Sequence, residues 1–193
     1  AKLVSARVET VETVQQALAL AADICVQRPV CQPLPAGDSP PGALFDRHTL
    51  AAPGLGERER IWLSEACLGK KIKLVDQGLR RYLGGVDMAV TWAQYGIAET
   101  GTLVINSTDE DLRLATMISE VHLALLKVDD IHPGAADLAG PLKSLMQGPD
   151  NYTAFITGAS RTADIERVLT LGVHGPLVLI IVLIGEAAAH EIL

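Results

Sequence analysis

The sequence predicts an α/β fold in which parallel strands lie under helices. Three observations carry that reading. The chain of 193 residues is 49% hydrophobic but holds two Phe, three Tyr and two Trp, so its core must be built from Val, Leu, Ile and Ala. Aliphatic cores of that kind suit parallel strands covered on both faces. Leu177 to Ile184 is an unbroken apolar run, which reads as a strand buried on both sides. Tyr152 to Leu183 reads in order as strand, small-residue turn, helix and aliphatic strand, a βαβ unit whose two strands should be parallel. The length fits one domain over residues 1–193.

Taken in chain order, Lys2 to Val8 alternates and reads as a strand. Thr10 is the expected N-cap of a helix reaching about Ala22, with Glu12 in its first turn and Val11, Val14, Leu18 and Ala22 on one apolar face. Residues 28–56 carry Pro29, Pro33, Pro35, Gly37, Pro40, Pro41 and Gly42, and are expected to form a loop or lid. Glu57 to Cys67 reads as a helix and Ile72 to Val75 as a short strand. Val86 to Val90, Tyr95 to Ala98 and Thr102 to Asn106 are strand candidates, the last two joined by the turn Glu99-Thr100-Gly101, which predicts a hairpin and a mixed sheet. Val121 to Val128 is a further strand, and Ala135 to Gln147 is a helix interrupted or kinked at Pro141. In the last third, Tyr152 to Thr157 is a strand, Thr162 to Leu171 a helix, and Gly172 its stop.

Composition narrows the function. The net charge is −7, and the basic pairs Lys70-Lys71 and Arg80-Arg81 are short, which disfavours nucleic acid and anionic membrane as partners. The longest apolar run is far below the about 20 residues that a membrane helix needs. The N-terminal residues do not show a signal-peptide layout. Cys25, Cys31 and Cys67 match neither a disulfide framework nor a zinc or iron–sulfur ligand set, so buried thiols in a reducing cytoplasm are expected.

Four places can carry chemistry. In Thr157-Gly158-Ala159-Ser160-Arg161-Thr162-Ala163-Asp164, small residues between a strand end and a helix start let backbone N–H groups approach an anion, and Arg161 can pair with it. Ordinary capping by Ser160 or Thr162, with Asp164 and Glu166 complementing the helix dipole, explains the same residues. The crevice of an open α/β sheet lies at the carboxyl ends of its strands, where this turn is expected. In Gly172-Val173-His174-Gly175-Pro176, two glycines leave His174 on a tight loop as a proton donor or acceptor, although Gly172 and Pro176 also read as a plain helix stop. Glu99, on the turn before Thr102, is a candidate base or nucleophile, or a solvated turn acid. His122 lies in an apolar strand, where a core residue and a ligand are both readings. His122, His132 and His174 lack chelating spacing, so no metal and no cofactor are expected.

Ala93-Gln94-Tyr95-Gly96-Ile97-Ala98-Glu99-Thr100-Gly101-Thr102-Leu103-Val104 resembles the central signature of the LUD domain family, which includes lactate utilisation protein C and YkgG and was formerly called DUF162. The segment from Ile156 to Glu166, continuing to Gly172-Val173-His174-Gly175-Pro176, resembles that family's C-terminal signature, and His122 falls where the family has a His. The resemblance covers about residues 70 to 185. It implies a Rossmann-like α/β sandwich of the NagB/RpiA/CoA-transferase type. It also implies a cytoplasmic, non-redox subunit linked to oxidation of L-lactate to pyruvate, working beside iron–sulfur and cysteine-rich partner proteins. The alternative is a free-standing module or enzyme of that superfamily, binding a small anion, a sugar phosphate, CoA or a folate. Site expectations fall on Glu99 and His174 as catalytic candidates. The anionic metabolite, a carboxylate or phosphate, is expected at Thr100, Gly101, Thr102, His122, Gly158, Ser160, Arg161, Thr162 and Asp164.

Overall fold

The structure, a computed structural model, describes residues 6–31, 46–147, 152–162, 170–171 and 175–185. Six strands form one sheet: β1 (Ala6–Val11), β2 (His48–Ala51), β3 (Ile72–Val75), β4 (Val86–Trp92), β7 (Ser119–Lys127) and β12 (Val178–Ile184), in the order β1-β12-β7-β4-β2-β3. Every neighbouring pair in it is parallel. A second sheet holds β5 (Tyr95–Ile97), β6 (Thr102–Asn106), β8 (Ile131–His132) and β9 (Thr153–Ile156), in the order β8-β5-β6-β9. The two-residue strands β10 (Arg161–Thr162) and β11 (Thr170–Leu171) pair antiparallel with each other.

The aliphatic core follows from strands covered on both faces. On one side α1 (Val14–Val26) and α2 (Glu57–Cys67) pack Leu18, Ala21, Ala22 and Leu63 against Val121, Leu123, Leu125, Val90 and Val182. On the other side Leu103 and Ile105 of the second sheet meet Ala124, Leu126, Leu179 and Ile181. Beside them Ala115 of α3 (Glu110–Ile118) meets Ala89 and Leu79. Alternate residues of β7 therefore serve two different cores, and the strand shows no polar face. Gly96 lets the second sheet come close, because a Cβ there would lie 2.7 Å from Leu126 Cδ2. The outer face of that sheet packs Val104 and Ile97 against Leu138, with Leu142 and Leu145 of α4 (Ala139–Leu145) beside them.

A buried carboxylate ties together the amino ends of β2 and β4. Asp87 accepts from the backbone N–H of Cys31 at 2.6 Å and of Thr49 at 2.7 Å, and its Oδ1 lies 3.2 Å from His48 Nδ1. Cys25, Cys31 and Cys67 are buried and free, as expected. Burial pushes the thiols of Cys25 and Cys31 up to about 12 and raises that of Cys67, so none is a ready thiolate.

Several expectations are corrected. Thr10 lies within β1, and the cap is Thr13, whose hydroxyl accepts from Gln16 N while Gln16 Oε1 accepts from Thr13 N. Glu12 therefore precedes the helix, which runs on to Val26. The loop expected over 28–56 contains β2 at His48–Ala51, an interior strand of the parallel sheet; residues 32–45 lie outside the described ones. The single mixed sheet expected divides in two: a purely parallel sheet, and a second sheet that takes the hairpin and is mixed as expected. The βαβ unit over 152–183 is not present, because β9 and β12 belong to different sheets. Arg161 and Thr162 are extended and paired with Leu171 and Thr170, so no helix starts at Thr162. Residues 163–169 lie outside the described ones.

Candidate functional site

The second sheet brings the two signature turns together. β5 and β6 pair antiparallel, and the turn between them carries Glu99, Thr100 and Gly101. β9 pairs antiparallel with β6, setting Ile156 opposite Leu103, so the residues after β9 emerge beside the residues before β6. Three hydroxyls lock this junction: Thr100 Oγ1 lies 2.7 Å from Thr102 Oγ1, which lies 2.7 Å from Thr157 Oγ1. Gly101 and Gly158, one on each turn, have φ of 65° and 84°. Side chains with a Cβ resist that left-handed region, which accounts for glycine at both positions.

Beyond Thr157 the chain folds back on the second half of the C-terminal motif. Ser160 N donates to Pro176 O at 3.0 Å, and a Cβ on Gly175 would lie 3.3 Å from Ser160 Cβ. Pro176 stands just before β12, so this turn meets the amino end of a parallel strand. That corrects the expectation of a site at the carboxyl edge of the sheet. β9 ends here, but it is an antiparallel strand of the other layer, and the switch-point rule for parallel strands does not apply to it.

A cleft of about 380 Å³ opens at this place, with Thr157, Gly158, Ser160 and Gly175 at one part of its wall. Arg113, from α3, lines it as well, a residue to which the sequence reading assigned no role. Arg113 Nη1 donates to the carbonyls of Ser107 at 2.7 Å and Thr108 at 2.6 Å, and the guanidinium carbon sits 5.6 Å from the centre of the Tyr152 ring. These contacts fix a cation at the cleft wall before any ligand arrives. The local sequence offered one faint signal: Asp109 caps α3 by accepting from Leu112 N, which places Arg113 in the first turns of that helix.

The other expected site residues fall as follows. Glu99 is exposed; its backbone N–H donates to Pro133 O at 3.0 Å. Thr102 is buried, whereas Thr100 and Thr157 reach solvent. His122 has no exposed surface and does not line the cleft. Its Nε2 lies 2.7 Å from Thr91 Oγ1, its Nδ1 has no partner, and burial pulls its pKa down to about 4, so the ring is neutral near pH 7. Arg161 and Thr162 are placed by their backbone on β10, directly after the Ser160 turn. Asp164 and His174 lie outside the described residues. Among the described residues, no group of three His, Cys, Asp or Glu side chains is placed to hold a metal ion, and no helix is long and apolar enough to cross a membrane.

Comparison with known proteins bears on the same segments. The chain is 34% identical over 102 residues to YkgG of Escherichia coli K12, covering 51% of this chain and 44% of that one. It is 31% identical over 110 residues to an uncharacterised protein of Neisseria meningitidis serogroup B, covering 57% and 47%. To lactate utilization protein C of Macrococcus caseolyticus it is 29% identical over 94 residues, covering 47% and 41%. Each of these relatives is matched over somewhat less than half of its own length. Among solved structures, a DUF162 family protein from Deinococcus radiodurans superposes with a TM-score of 0.54 at 16% identity, over 93% of this chain and 88% of that one, and so shares the fold. The family model of the LUD domain matches residues 1–184, and the chain belongs to the LUD domain family.

Proposed function

We propose that this chain is a non-redox component of L-lactate utilisation, working in the cytoplasm, and that it binds a small carboxylate or phosphate anion in the cleft beside Gly158 and Ser160. The observation that carries this reading is the hydroxyl chain Thr100–Thr102–Thr157, which joins the two signature turns at a cleft walled by a fixed arginine. Backbone N–H groups of a small-residue turn, the Ser160 hydroxyl and a guanidinium are the donors that charge-assisted anion binding uses. Arg161 follows the turn directly and is assigned to the same anion; Glu99 and His174 are assigned as the acid–base candidates. The chain's three cysteines lie apart in the sequence and supply no four-cysteine set for a cluster, so the electron carriers of lactate oxidation are assigned to iron–sulfur partner proteins. The relatives named lactate utilization protein C support this assignment of the process.

Calorimetric titration with L-lactate, pyruvate and inorganic phosphate tests the binding half. Saturable binding of at least one of them is expected, weakened in Arg161→Ala by about 1.5 to 3 kcal/mol, the usual worth of a hydrogen bond to a charged group. Equal binding by the variant, or none by the wild type, contradicts the reading. Co-purification with the iron–sulfur partners tests the other half.

A further inference from the structure

We infer that the cleft takes an anion carrying a planar aromatic group, a larger ligand than lactate; the inference rests on the anion site proposed above and extends it. Another part of the cleft lining is built from large apolar side chains. Met117, Tyr152 and Phe155 line the cleft and are 59, 56 and 51% exposed, so about half of each residue stays in contact with water. A chain with two Phe and three Tyr that displays one of each in a single cleft makes an uncommon use of them. Exposed apolar surface gathered in a concave site with a few polar groups is the usual form of a ligand pocket.

The polar and apolar parts are joined at Arg113. Its guanidinium lies against the Tyr152 ring and is held by two backbone carbonyls, so it cannot swing away to solvent without losing three contacts. A cation fixed on an aromatic face, beside further exposed apolar side chains, suits a ligand that stacks a ring there and extends its negative group toward Gly158 and Ser160. A bare carboxylate such as lactate would meet the polar part and leave the apolar wall wet. The volume of about 380 Å³ leaves room for both parts of such a ligand.

The test compares inorganic phosphate, ethyl phosphate and phenyl phosphate by calorimetry on the full chain. Phenyl phosphate is expected to bind about tenfold more tightly than ethyl phosphate, the increment that one well-placed aromatic contact supplies. Tyr152→Leu should erase that preference, weakening phenyl phosphate by a larger factor than inorganic phosphate. Arg113→Lys, which keeps the charge but not the planar fork, should weaken phenyl phosphate more than inorganic phosphate. Equal affinities for ethyl and phenyl phosphate overturn this inference alone, while failure of all three to bind overturns the small-anion reading beneath it. Sedimentation of the same samples covers the remaining case: a dimer that Tyr152→Leu dissociates would show the apolar wall to be an interface between copies and would overturn the inference.

Discussion

The two sheets of this molecule solve different problems. The parallel sheet pairs its strands in one direction, and its central strands β4, β7 and β12 are mostly aliphatic and buried on both faces. The four-stranded sheet is short-stranded and mixed, carries a row of threonine hydroxyls, and ends in a cleft with exposed aromatics. The first is a scaffold whose free energy comes from apolar burial. The second spends its residues on directional polar contacts and tight turns. The turns that carry Glu99 and Gly158 lie at the end of the second sheet, and Gly175 and Pro176 reach them from the start of β12 in the scaffold.

Disrupting the scaffold should cost the most. Leu123→Ala, at a fully buried position of β7, is expected to lose about 2 to 5 kcal/mol of stability in urea unfolding. Phosphate affinity of the fraction that remains folded should not change. An unaltered unfolding midpoint would contradict the assignment of β7 to the core.

His122 gives a pH-dependent version of the same test. Its pKa is lowered to about 4 by burial, against about 6.5 in an unfolded chain. The unfolded state therefore binds more protons between those values, and stability falls as pH drops from about 6.5 to 4. Above pH 6.5 the residue contributes no slope. The expected loss is on the order of 3 kcal/mol, and His122→Leu should flatten that part of the stability–pH curve relative to wild type. Parallel curves for the two proteins would show that the ring is protonated or solvated in the fold.

Effects in the second sheet should be smaller on stability and larger on binding. Thr102→Val removes the middle hydroxyl of the chain while keeping the shape, and should cost about 1 kcal/mol of stability. It should weaken anion binding severalfold by loosening the two turns. Loss of stability without loss of binding would separate the hydroxyl chain from the site.

The same contrast explains what the sequence disclosed. Elements set by local pattern were legible: Glu57–Cys67 and Ile72–Val75 occur with the expected limits, as does the hairpin around Glu99 to Gly101. The α1 cap was misplaced by three residues although Thr13 and Gln16 form the Thr-x-x-Gln spacing of a capping box, a signal present in the sequence. β2, α3 and the two-residue β8 have weak local signals and were missed. β2 has four residues and follows a proline-rich stretch, and α3 has one fully buried residue, Ala115. The sheet that β9 joins was not legible, because pairing with β6 is a contact some fifty residues away in sequence. For the site, the meeting of the two turns was legible in their matching small residues. Arg113 was not, since only the tertiary placement of α3, packed on β4 and β7, brings it to the cleft.

The account's central claim is that anions bind on the second sheet and not at the carboxyl edge of the parallel one. Amide chemical shifts of ¹⁵N-labelled protein, followed through a phosphate titration, test it directly. The expected result is saturable shifts at Gly158, Ser160 and Gly175 and at the Arg113 side chain, with the loop from Ala52 to Gly56 and Asp76 unmoved. Shifts confined to Ala52 through Gly56 and Asp76, at the carboxyl ends of β2 and β3, would contradict it.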